Sequence, residues 1–240
     1  MSAPIRQLIL DTETTGLKVE DGHRIVEFAA LEMFDRKLTG NKLHLYINPE
    51  REIDPNATRI HGITDEQVAD KPVFSEVIAE IKEFIQDSEL IIHNAKFDMG
   101  FLNYQFNLIE KGKTVEHYIS GVIDTLTMAR QKFPGGKNSL DALCDRFKVD
   151  RSNRDYHGAL IDCRLLADVY LNLTREQINL LEQQTTIKSK YDFSKIDSSK
   201  LDLAITKPTA EEEQLHLAYL EQLDKLSKGK SPWFNKKLDV

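Results

Sequence analysis

The chain has few of the residues that staple small extracellular folds: two of its 240 residues are cysteine, Cys144 and Cys163. Neither lies in a Cys-x-x-Cys pair or a histidine-paired spacing, so neither a disulfide framework nor a structural zinc site is expected. Both are expected to be buried as small apolar residues. Long hydrophobic runs are also missing. Nowhere do about 18 apolar residues follow one another, and Met1-Ser2-Ala3-Pro4-Ile5-Arg6 leads straight into a strand-like stretch. Membrane spanning and secretion are therefore not expected, and a reducing cytoplasm is the expected compartment. Positive charge is short as well: 32 Lys and Arg face 39 Asp and Glu, a formal net charge of -7. Proteins that hold long nucleic acid by charge alone carry a basic surplus, because neutralising phosphates supplies most non-specific affinity. If nucleic acid is the substrate, something else must keep the chain on it.

What remains is an ordinary globular composition, 40% hydrophobic and 30% charged. At roughly 100–200 residues per domain, there is room for one domain with an appendage or for two small domains. Ten of the eleven glycines fall between Gly16 and Gly158, and the next is Gly229. This punctuation predicts a compact domain to about Leu173 and a partly helical, flexible tail: 1–175, then a linker over 176–207, then 208–240. Gln7 to Leu10 is a short apolar run ending in Asp11, and Arg24 to Phe34 and Lys42 to Asn48 are further strand candidates. Three early strands with short connections predict an antiparallel meander. A capping box at Thr64-Asp65-Glu66-Gln67 opens a short helix, and Val77, Ile78, Ile81, Phe84 and Ile85 carry the helical period over Phe74 to Ile85. Strands at Leu90 to His93 and Gly121 to Asp124 then alternate with helices at Phe97 to Ile109, Ser139 to Phe147 and Ala159 to Leu173. The fold class is α/β, a mixed central sheet flanked by helices.

The chemistry-bearing residues are acids. Asp11 and Glu13 stand two apart at the end of the first strand, so both carboxylates point to one face. Such a pair is either solvated or held by a cation, since two crowded like charges are costly. Asp98 follows a very apolar strand at the start of a helix, where α/β sheets gather active-site residues; helix capping is its other role. His157 and Asp162 are five residues apart, about 140° around a helix, and cannot be equivalent ligands. Asp162 fits inside the helix and His157 on the loop before it, where a neutral imidazole could take a proton from water or simply cap the helix.

The order Asp-x-Glu, Asp, His-x4-Asp, with the flanks Leu10-Asp11-Thr12-Glu13-Thr14-Thr15-Gly16, His93-Asn94-Ala95-Lys96-Phe97-Asp98-Met99-Gly100-Phe101 and His157-Gly158-Ala159-Leu160-Ile161-Asp162, resembles the DEDDh branch of the DnaQ-like 3'-to-5' exonucleases. Within that branch it is most similar to the proofreading subunits of bacterial replicative polymerases. Ile60-His61-Gly62-Ile63 and Asn138-Ser139-Leu140-Asp141-Ala142-Leu143 look alike too, and the resemblance covers residues 5 to 173. It implies an RNase H-like exonuclease fold, with Asp11, Glu13, Asp98 and Asp162 holding two divalent ions, Mg or Mn, and His157 as general base. The products would be nucleoside 5'-monophosphates from mismatched 3' ends. The backbone around Thr14 would meet the terminal 3'-hydroxyl, Leu17 would wedge against the last bases, and His61 and Phe97 would line the nucleotide pocket. Leu17 and Phe97 could equally be packing residues.

Beyond the domain, Gln177, Ile178, Asn179, Leu180 and Leu181 resemble the pentapeptide by which bacterial replication proteins bind the sliding clamp; alternatively the aliphatic residues extend the last helix. Thr185 to Lys207 has a tether's composition. Glu211 to Leu226 presents Leu215, Leu217, Ala218, Leu220, Leu223 and Leu226, and Trp233 with Phe234 forms an aromatic anchor. The resemblance implies that this segment binds the alpha subunit of DNA polymerase III; folding back onto the domain is the alternative. It also allows a small accessory subunit. Tethering would answer the charge deficit, since a linked active site works at high effective concentration. The catalytic residues contact phosphates and leave DNA against RNA open.

Overall fold

The computed structural model describes residues 6–152, 156–175 and 208–227. The chain forms two compact units, Met1–Gln177 and Ile178–Val240. In the first, β1 (Gln7–Thr14), β2 (Ile25–Phe34), β3 (Lys37–Tyr46), β4 (Glu89–Ile92) and β5 (Gly121–Asp124) make one sheet in the order β3-β2-β1-β4-β5. β1, β2 and β3 form the expected antiparallel meander, while β1, β4 and β5 run parallel. Seven α-helices accompany the sheet among the described residues of this unit: α1 (Pro55–His61), α2 (Asp65–Val68), α3 (Phe74–Ile85), α4 (Ala95–Ile109), α5 (Thr125–Lys132), α6 (Leu140–Phe147) and α7 (Ala159–Leu173).

The period-two alternation of the strands sorts the core onto two faces. Leu8, Leu10, Phe28, Ala30, Leu90 and Ile92 pack with α3 and α4. Ile9, Ala29, Leu31, Met33 and Ile91 pack beneath Ala159, Cys163, Leu166, Ala167 and Tyr170 of α7. Each fully buried large apolar side chain is worth about 1.5–3 kcal/mol, so α7 is held firmly enough to carry an acid to a defined place. Asp11 and Glu13 continue the odd-numbered, α7-facing side of β1. Cys144 and Cys163 are both buried, as expected, and form no disulfide.

Three elements depart from the sequence expectation. β3 begins at Lys37 rather than Lys42, because Asp35 and Arg36 take positive φ of 48° and 62° and close a two-residue hairpin. Its first half is an exposed sheet edge with no apolar alternation to betray it. Helix α1 was not foreseen: Asp54 accepts from the Asn56 N–H at 2.7 Å and Pro55 occupies the first turn, a short start signal with little apolar period behind it. Helix α5 was missed for the same reason, with Asp124 capping the Leu126 N–H at 3.0 Å.

In the second unit, helix α8 (Ala210–Leu226) is opened by a capping box in which the Thr209 N–H donates to Glu212 Oε2 at 2.8 Å. None of its residues is buried, and Leu215, Leu217 and Leu226 are largely exposed. Gln177, Ile178, Asn179, Leu180, Leu181, Trp233 and Phe234 lie outside the described residues. No described helix is long and apolar enough to cross a membrane.

Candidate active site

β1 outruns its parallel neighbour. The β1–β4 pairing ends at Ile9 and Ile91, so the last residues of β1 keep β2 on one side and have an open edge on the other. At this open end stand Asp11 and Glu13, half-buried and on the α7 side. α7 brings Asp162 across to them: one carboxylate oxygen from each of Asp11, Glu13 and Asp162 lies within 4.8 Å of the others. Burial above all, and then the charges of Asp98, Glu13, Asp162 and Glu27, push the Asp11 carboxyl well above the usual carboxylate range. Crowded hard oxygens that repel one another in this way suit a small divalent cation, whose charge would offset the repulsion.

Asp98 arrives from the other face of the sheet. Asn94 (φ 67°), its N–H held by Asp124 Oδ1 at 3.1 Å, turns the chain from β4 into α4. The fourth residue of α4 is then Asp98, inside the helix rather than at its cap, which Asn94 supplies. At the open edge of β1, Asp98 Oδ1 accepts from the Thr12 N–H at 3.1 Å and from Thr12 Oγ1 at 2.7 Å. The carboxylate thus takes the place of a strand partner. Burial raises its pKa to about 7 despite these two hydrogen bonds, which favour the charged form. Asp98 is not in the group of three close carboxylates; it stands behind Asp11 and repels it.

His157 lies on the segment entering α7, as its spacing from Asp162 required. Its N–H donates to Ile60 O at 3.1 Å, and the neighbouring Tyr156 ring covers Gly62, whose φ is 74°. The ring's Nδ1 is 3.3 Å from Asp162 Oδ2, and the side chain is 46% exposed against 7% for Asp162. A cleft of about 720 Å³ is bounded by Asp11, His157 and Asp162 together with His93, Arg130 and Asn138.

The residues expected to meet substrate divide. Leu17, 76% exposed, and Phe97 border a second cavity of about 430 Å³, with Phe97 packed on Phe101 at 4.9 Å. His61 is buried and does not border it: its Nδ1 accepts from the Ile63 N–H at 3.0 Å, which leaves Nε2 to donate to Thr14 O at 3.2 Å. His61 therefore ties α1 to the end of β1, and burial lowers its pKa. Thr14 donates its hydroxyl to Gly16 O at 2.7 Å. A Cβ at Gly16 would overlap the His23 ring at 2.3 Å, so any side chain there must displace that ring from its contact with Thr15 Oγ1.

Two contributors were not singled out from sequence. Thr12, the spacer of the Asp-x-Glu pair, positions a third acid. Glu27 interrupts the apolar run Ile25-Val26-Glu27-Phe28-Ala29, and an acid inside a buried strand is itself a signal of a specific partner.

Acids of β1 and α7 that meet at one cleft, the α4 acid Asp98 behind Asp11, a histidine at the rim and a mixed sheet of this order are what a phosphodiester-cleaving site of the DEDDh exonuclease class would require. Comparison with known proteins agrees. The family model described as Exonuclease matches residues 8–170. DNA polymerase III subunit epsilon of Pasteurella multocida is 47% identical over 247 residues, covering 97% of this chain and 95% of the relative. That of Haemophilus influenzae is 43% identical, covering 97% and 96%. Among solved structures, exonuclease X in complex with 5' overhanging duplex DNA aligns with a TM-score of 0.55 and 31% identity over 70% of this chain and 90% of that one. The nuclease domain of 3'hExo, a DEDDh family member bound to rAMP, shares the fold at a TM-score of 0.61 and 20% identity over 72% of this chain and 92% of that one. The chain belongs to the exonuclease family, in the DEDDh-type group that includes the DNA polymerase III epsilon subunits. It is a 3'-to-5' exonuclease.

Proposed function

We propose that the chain is the proofreading subunit of a bacterial replicative polymerase, DNA polymerase III, removing mismatched 3'-terminal nucleotides as 5'-monophosphates in the cytoplasm. The observation that carries the mechanism is the three-carboxylate cluster with His157 beside it. Asp11, Glu13 and Asp162, with Asp98 behind, would hold two divalent ions, Mg or Mn. When bound, such a pair supplies activation of water and stabilisation of the leaving 3'-oxygen in an in-line displacement. His157 takes the water proton on Nε2, its Nδ1 turned to Asp162. Leu17 and Phe97 stack on the last bases, a contact indifferent to sequence, and the backbone at Thr14, braced by His61, meets the terminal sugar. A mismatched end reaches this site more easily, because an unpaired nucleotide costs less to separate than a paired one.

Residues 176–207 serve as a linker carrying the clamp-binding pentapeptide Gln177 to Leu181. Residues 208–240 bind the alpha subunit through the exposed apolar side chains of α8, with Trp233 and Phe234 as anchor; a small accessory subunit is a further partner. An acidic catalytic domain gains DNA in this way by tethering rather than by charge.

The test is nucleotide release from 3'-labelled single-stranded DNA and matched RNA with Mg, Mn or chelator, comparing the full chain with His157→Ala. Metal-dependent release of deoxynucleoside monophosphate, faster from DNA and largely lost in the variant, is the expected result. Faster release from RNA would overturn the proofreading role, and a fully active variant would remove His157 as base. Loss of alpha-subunit binding on deleting residues 208–240 tests the tail.

A further inference from the structure

Glu27 is a buried carboxylate that the reaction does not use. It is 2% exposed, lies opposite Glu13 across the β1–β2 ladder, and adds to the negative charge that burdens Asp11. It is outside the three-carboxylate group. A fifth acid in such a place works against the cluster, and a buried charge persists only where its partners require it. Both of its oxygens are engaged. Oε1 meets His44 Nε2 at 2.7 Å, and Oε2 accepts from the Ala159 N–H at 3.0 Å.

Ala159 is the first residue of α7, and the N-cap before it is Gly158, which has no side chain to offer the exposed N–H groups of the first turn. A Cβ at Gly158 would sit 4.0 Å from Glu27 Oε2, so the strand carboxylate stands beside the N-cap and serves the first N–H of the helix in place of a side chain of residue 158. His44 reaches it from β3, diagonally across the ladder, where Tyr46 is the residue opposite Glu27. The His44 and Tyr46 rings pack at 5.1 Å. The same first turn carries Asp162, whose N–H donates to Gly158 O at 2.9 Å, and follows directly on His157.

We propose that Glu27, held by His44, is a positioning residue that caps α7 from the neighbouring strand and so sets Asp162 against Asp11 and Glu13 and fixes the approach of His157. The consequence for catalysis rests on the roles given above to Asp162 and His157; the cap itself does not.

The experiment compares the full chain with Glu27→Ala, Glu27→Gln and His44→Ala, by amide hydrogen exchange in chelator and by steady-state kinetics on labelled single-stranded DNA. Glu27→Ala is expected to speed exchange in residues 159–162 and to lower kcat about 10–100-fold, the range for removing an orienting partner. KM for DNA should stay within about twofold, since no group that binds substrate has been removed. Glu27→Gln keeps an acceptor for the Ala159 N–H, and the neutral imidazole can accept from its amide. It should therefore recover most of both properties, which a loss of charge or of general stability would not allow. His44→Ala should show the same pattern more weakly and serves if Glu27→Ala does not fold. Unchanged exchange at the first turn of α7 in these variants, or a Gln variant as impaired as Ala, would overturn the proposal. Should the parent chain release no nucleotide, the catalytic reading fails, and the exchange comparison still decides whether Glu27 is the cap.

Discussion

Replacing Thr12 by valine keeps the shape of a β-branched side chain in β1 and removes one atom that matters, the hydroxyl donating to Asp98 Oδ1 at 2.7 Å. The backbone N–H of residue 12 would still donate to the same oxygen. A hydrogen bond to a charged group contributes about 1.5–3 kcal/mol, and about 1.4 kcal/mol corresponds to one pKa unit. The Asp98 carboxyl, raised by burial to about 7 with the hydroxyl in place, should therefore rise by roughly one to two units without it. The ionised form predominates only above that pKa. Activity that needs it is lost as pH falls through the folded value, so the acid limb of the profile should move to higher pH. At neutral pH and limiting Mg, kcat/KM should fall about 10–100-fold. The assay is the pH dependence of nucleotide release at low and at saturating Mg, with Thr12→Ser, which restores the donor, as control. Profiles of the valine variant and parent that superimpose at low Mg would refute the idea that Thr12 holds Asp98 in its working state.

Asp11→Asn should abolish nucleotide release and yet stabilise the metal-free protein at neutral pH, because the folded state raises the Asp11 pKa above its unfolded value of 3.8. The penalty on the parent is absent below that unfolded value and grows as pH rises toward the folded one, so the variant's advantage in chelator should be larger at pH ~8 than at pH ~5. Urea unfolding measures this, and a variant less stable than the parent at the higher pH would contradict the picture of mutually repelling acids. Gly62→Ala forces a side chain into positive φ and places its Cβ 3.1 Å from the Tyr156 ring. It should cost about 1–3 kcal/mol and lower kcat by shifting the segment that carries His157. Parent-like thermal stability and kcat would show that this contact positions nothing.

Much of the sheet was legible because burial selects apolar residues. The stripe of α3 has the helical period, while the apolar runs of β2 and Leu90 to Ile92 were read as strands from their shortness and flanking turns, since burial on both faces leaves no period of its own. The lower half of β3 was not legible, since an edge strand wet on both faces loses the alternation that marks a strand. Helices α1 and α5 are too short for their apolar period to rise above chance, although Asp54-Pro55 and Asp124 announced their starts. Glu27 stood out as an acid in an apolar strand, but no local pattern says that its partners are His44 and the amide of residue 159.

The sequence by itself determined the identities and local geometry of the chemical groups: two carboxylates on one face of β1, an acid in the first turn of α4, and a histidine just before the helix that carries Asp162. These follow from residue spacing, which is a property of a single element. The tertiary structure decided which oxygens come together. Asp162 closes on Asp11 and Glu13 because α7 packs on their face of the sheet, while Asp98 comes from the opposite face and is held by Thr12 where β4 has ended. Distances between elements depend on how whole faces pack and where a neighbouring strand stops, and no spacing along one segment encodes either.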